Sequence, residues 1–65
     1  MLVEIQGILF NILNIQTVEK IIDKEIHQMK INMISKTYTF KYENSLKMSI
    51  DYDNIMRISK QYKGN

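Results

Sequence analysis

Hydrophobic and polar positions change period twice along this chain, and the changes locate its elements. KTYTFKYE alternates strictly, with Tyr38, Phe40 and Tyr42 on one side and Thr37, Thr39, Lys41 and Glu43 on the other. Aromatic and β-branched residues at period two predict a strand. Met29, Ile31 and Met33 alternate in the same way against Gln28, Lys30 and Asn32. A two-residue connection at Ser35 and Lys36 would set Met33 opposite Tyr38, Ile31 opposite Phe40 and Met29 opposite Tyr42, so that both strands bury one face. Residues 46 to 63 switch to a helical period. On a wheel, Met48, Tyr52, Ile55, Met56, Ile58 and Tyr62 fall within about 160° of arc, against Lys47, Asp53, Asn54, Arg57, Lys60 and Gln61. Leu46, Ile50 and Asp51 break the stripe, Ser45 is the expected N-cap, and Gly64 follows where a helix stop is expected.

The first 30 residues read less simply. Leu2 to Ile15 fits two short strands hinged at Gly7, where a glycine inside a strand-like run marks a bend or bulge. Residues 17 to 30 admit two readings. Val18, Ile21, Ile22, Ile26 and Met29 lie within about 140° of a helical wheel, yet their β-branched content suits a hairpin turning at Asp23, Lys24 and Glu25 between strands near 15 to 22 and 26 to 34.

Composition then narrows the functional classes. Sixty-five residues make one domain, 1 to 65, and a body of that size has a thin stability margin. With no Cys and one His, neither disulfides nor a structural zinc site supplies the deficit. Self-association or docking on a partner is the remaining remedy, and twelve Ile with five Met agree with apolar surface left over for another chain. The apolar start, MLVEIQGILFNILNI, is interrupted by Glu4, Gln6, Asn11 and Asn14 before it could cross a bilayer, and it lacks the basic segment of a signal peptide. The expectation is a cytoplasmic protein without a membrane partner.

The elements together predict an α+β fold, a small antiparallel β-meander packed by one C-terminal α-helix. FNILNIQTVEK, TYTFKYENS and DYDNIMRI, in that order, resemble small uncharacterised proteins of phages and mobile elements in low-GC bacteria, over roughly residues 9 to 60. The resemblance implies a meander capped by one helix, favours strand for residues 15 to 30, and implies a host factor or immune component as target. The chain departs from the commoner pattern in lacking Asn-Gly or Asp-Gly turns.

Catalytic chemistry has little to work with. His27 is the lone imidazole, and an exposed surface position is the expectation for it. Asp51 and Asp53 lie about 200° apart on a helix and cannot converge as paired carboxylates do. No glycine-rich phosphate loop exists, and no metal or cofactor is expected. The expected function is therefore non-enzymatic, stoichiometric binding to a protein or to another copy. Net charge is +2, but residues 1 to 35 sum to −1 and residues 36 to 65 to +3. Lys47, Arg57, Lys60, Tyr62 and Lys63 are accordingly the candidate partner-binding residues. A nucleic-acid module using Lys36, Lys41, Lys47, Arg57 and Lys60 is the first alternative, with Tyr38, Phe40 and Tyr42 as stacking rings. Those rings are more simply core, because they share a face with Met29, Ile31 and Met33. An oligomer binding a small anionic ligand is the second alternative.

Overall fold

The structure, a computed structural model, describes the backbone of residues 1 to 63 and the side chains of residues 1 to 61. Five strands and one long helix follow in order: β1 (Leu2–Ile5), β2 (Ile8–Asn11), a 3₁₀ turn (Ile12–Asn14), β3 (Ile15–Asp23), β4 (Ile26–Met33), β5 (Thr37–Tyr42) and α1 (Ser45–Lys63). β1 and β2 form an antiparallel two-stranded sheet, and β3, β4 and β5 form an antiparallel meander with β4 in the middle. The predicted α+β class, antiparallel sheet with one C-terminal helix, is the observed architecture.

The hinge at Gly7 is a tight hairpin turn. Ile5 pairs with Ile8, and the two residues between, Gln6 (φ 49) and Gly7 (φ 85), both have positive φ, as in type I′ turns. Glycine takes that geometry without strain. Gln6 has a Cβ, but its side-chain amide donates to the Lys41 carbonyl at 2.8 Å and holds the turn against β5. The second strand stops at Asn11, whose Oδ1 accepts from the Leu13 amide at 3.0 Å and starts the 3₁₀ turn.

Residues 17 to 30 are a hairpin, and the helical reading is overturned. Asp23 pairs with Ile26 across Lys24 and Glu25, and Lys24 takes positive φ, 56°. The wheel clustered residues that do not share an environment. Ile21 and Ile22 project to opposite faces of the sheet, Ile22 and Ile26 are exposed, and Met29 alone of that stripe is fully buried. A bulge at Gln16 brings Ile15 inward at the start of β3.

The β4–β5 register differs by two residues from the expected one. Ile31 pairs with Tyr38, Met29 with Phe40 and His27 with Tyr42, because the two-residue turn is Ile34–Ser35. It is closed by the Met33 amide donating to the Lys36 carbonyl at 2.8 Å. An even shift keeps every side chain on its face, so the burial pattern survives the correction. The observed register also lets Asn32 bond both neighbours, donating to Thr17 Oγ1 at 2.8 Å and accepting from Thr37 Oγ1 at 2.9 Å.

The helix begins one residue earlier than a Ser45 cap would allow. Asn44 Oδ1 accepts from the Lys47 amide at 2.9 Å, and Asn44 O accepts from the Met48 amide, which makes Asn44 the cap. Gly64, the expected stop, lies outside the described residues. Met48 and Ile55 are buried and Tyr52, Met56 and Ile58 half-buried, as the stripe requires, while Leu46 and Ile50 are exposed.

The core lies where α1, the meander and the β1–β2 hairpin meet. Met29, Ile31 and Phe40 from the sheet, Val3, Ile5 and Phe10 from the hairpin, Ile12 and Ile15 from the link, and Met48 and Ile55 from α1 form it. Phe10 joins hairpin to meander, meeting Tyr38 and Phe40 edge-on with centroids 4.9 and 5.8 Å apart. Replacing the cap, Asn44→Ala, is expected to lower stability by about 1 kcal/mol. The measurement is a reduced urea midpoint at unchanged slope, and Ser45→Ala should leave the midpoint close to wild type.

Candidate functional site

The candidate basic residues are divided between the start and end of β5 and the exposed side of α1. Lys47 lies 3.1 Å from Glu43 Oε1, one helical turn away, and that pair takes up its charge locally. Arg57 donates to Asn54 Oδ1 at 3.3 Å, and Lys60 is exposed farther along α1. Lys36 sits over the Tyr38 ring at 4.5 Å, before β5. Lys41 alternates onto the opposite side of the sheet from Tyr38, Phe40 and Tyr42. The side chains of Tyr62 and Lys63 lie outside the described residues.

The rings that could have stacked bases belong instead to the core face. Phe40 is buried, Tyr38 and Tyr42 are half-buried, and Tyr38 and Phe40 lie nearly parallel at 6.4 Å. The other face of the meander is polar, carrying the Thr17–Asn32–Thr37 chain and the Glu19–Lys30 pair at 4.0 Å.

His27 departs from the expected exposed position. It is half-buried opposite Tyr42, and its Nδ1 is buried with no hydrogen-bond partner from the protein. No group of three or more metal-ligating side chains occurs among the described residues. The two helical acids separate as expected: Asp53 is exposed, whereas Asp51 turns toward the end of β5.

What the fold does bring together is a cleft of about 530 Å³ between the β1–β2 turn, the end of β5 and the first turns of α1. Gln6, Lys41, Tyr42, Glu43, Lys47, Ile50 and Asp51 line it. Tyr42 donates its hydroxyl to Asp51 Oδ2 at 2.7 Å. Burial first, then that hydrogen bond and the carboxylate's charge, push the Tyr42 phenol well above its ordinary value of 10.0, while a hydrogen bond from Gln6 works in the other direction. The phenol therefore stays a donor throughout the neutral range. Two carboxylates stand against two lysines, of which Lys47 is already paired with Glu43, so the cleft has no surplus of positive charge and an anion has little to hold it there.

Sequence reasoning missed this constellation, although Asp51 and Ile50 carried a signal. Both interrupt the apolar stripe of α1, and the interruption is where the helix turns polar toward β5. Gln6 could be connected with them only through the hairpin's position in three dimensions.

A second feature is the outer face of the β1–β2 hairpin. The register places Val3, Ile5, Phe10 and Ile8 inward and Leu2, Glu4, Leu9 and Asn11 outward. Leu2 is 57% exposed and Leu9 62%. Met1, tied by its carbonyl to the Ile12 amide, and Leu13 are also exposed at the hairpin's open end. Comparisons with protein-family models, curated proteins and solved structures return no match. No helix among the described residues is long and apolar enough to cross a membrane.

Removing the phenol hydroxyl tests the cleft's internal bond. Tyr42→Phe is expected to cost about 1 kcal/mol at neutral pH. Because the folded-state pKa is raised, the contribution of Tyr42 is fully present below pH 10.0 and is lost as pH rises from there toward the folded-state value. Urea unfolding across that alkaline range should show a shallower loss of stability in Tyr42→Phe than in wild type.

Proposed function

We propose that the chain is a small non-enzymatic interaction protein that acts by stoichiometric binding to another protein. The observation that carries this reading is the outer face of the hairpin, where Leu2 and Leu9 are diagonal neighbours and both are more than half exposed. Single exposed leucines need no explanation, but a cluster on one face marks an interaction surface. Among the described residues ten large apolar side chains are exposed around a core of ten buried ones, so a partner covering part of them would add to a small body's stability. A bacterial host protein as target, of the kind that mobile elements engage, rests on the sequence resemblance alone.

The nucleic-acid alternative draws on the positive C-terminal half, chiefly Arg57 and Lys60. Its aromatic component is absorbed by packing, and Lys36 and Lys47 have local partners. Oligonucleotide titrations at two salt concentrations separate the readings, because phosphate binding weakens steeply with salt.

Tagged protein passed through lysate of the native host, with and without nuclease, is expected to retain a defined protein at equimolar ratio in both conditions. Leu9→Glu should abolish retention while leaving the far-ultraviolet circular dichroism unchanged. Retention that disappears with nuclease, or that survives Leu9→Glu undiminished, overturns the reading or its placement on the hairpin face.

A further inference from the structure

We propose that the cleft between the β1–β2 turn and the start of α1 receives a cationic side chain, the guanidinium or ammonium of a basic residue on the protein partner. This deepens the interaction reading and rests on it. The argument begins with Asp51. Its Oδ2 accepts the Tyr42 hydroxyl, and among the described residues no cation lies within ion-pair distance of it. Asp51 is half-buried, and with Oδ2 engaged by one neutral donor the lone pairs of Oδ1 are left to accept.

The other charges of the cleft are accounted for. Glu43 and Lys47 neutralise each other, and Lys41 contributes its carbonyl, bonded to Gln6, while its side chain alternates to the polar face of the meander. What remains is one negative charge in a recess, and a positive group is its complement. Gln6 adds polarity from the opposite wall: its amide nitrogen is engaged by the Lys41 carbonyl, which leaves Oε1 as a second acceptor. Ile50, 54% exposed, supplies apolar surface against which the methylene stem of an arginine or lysine would lie. Two acceptors beside an apolar wall match a planar guanidinium with several donors more closely than they match a bare anion or a neutral apolar group.

Tyr42 is the positioning residue. Its phenol, kept protonated by burial and by Asp51, donates to Oδ2 and holds the carboxylate in place. In the phenolate form the same oxygen would repel the carboxylate.

The probe is n-butylguanidinium chloride, followed by amide NMR of the isotope-labelled full chain, with neutral n-butanol and inorganic phosphate as comparison arms. Saturable shifts centred on Gln6, Ile50 and Asp51 are expected with the guanidinium, in the weak range of small fragments. They should weaken as sodium chloride is added, and butanol or phosphate should give none at those positions. Asp51→Asn, which keeps an acceptor for Tyr42, should weaken binding at least tenfold, whereas Asp53→Asn on the exposed side of α1 should leave it unchanged. Equal response to butanol, response to phosphate, salt-independent binding by wild type, or undiminished binding by Asp51→Asn overturns the proposal. The two readings fail separately. A host complex that is lost in Leu9→Glu but keeps its affinity in Asp51→Asn removes the cleft and leaves the interaction protein. Guanidinium binding without any captured protein removes the interaction partner.

Discussion

The fold depends on the central strand of the meander. β4 is paired on both sides, and its inward residues Met29 and Ile31 are completely buried between the sheet and α1. Each such side chain is worth about 1.5–3 kcal/mol when removed from water, a large share for a domain of this length. The inward positions across from them, Val18, Tyr38 and Phe40, extend that floor sideways. Met48 and Ile55, separated by two helical turns, sit over it. The 3.6-residue period of α1 and the two-residue period of the sheet thus meet on one apolar surface.

The hairpin has a different standing. Two strands alone are marginal in water, and β1–β2 persists because Val3, Ile5 and Phe10 reach into the shared core. It also completes the meander. Phe10 covers the inward rings of β5, and the Gln6 side chain satisfies a carbonyl at that strand's far end. The cleft is a by-product of this docking: the turn stops short of the helix, and Tyr42 and Asp51 bridge the floor of the gap.

Residues 29 to 63 were legible in the sequence because each face repeats at one period long enough to be read. The pairing of β4 with β5 was recovered in facing but not in register. The turn there lacks Gly or Asn, so nothing local distinguished Ser35–Lys36 from Ile34–Ser35 as its centre. Residues 17 to 30 stayed ambiguous for a comparable reason. Isoleucines at 21, 22 and 26 satisfy a helical stripe by coincidence, and only pairing with β4 shows that they have no common face. The cleft and the half-burial of His27 depend on which elements dock, and a single sequence carries no local trace of that.

β3 is the outer strand of the meander on the side away from the hairpin-covered β5, and its charge order bears on how copies behave when crowded. Two such strands related by a dyad can pair antiparallel only with like-numbered positions at the centre. Centring on Glu19 or Lys20 sets identical charges face to face, and centring on Ile21 brings Glu19 against Asp23. Centring on Val18 runs into the bulge at Gln16. The edge therefore discourages its own duplication through the placement of three charged residues and one irregular step.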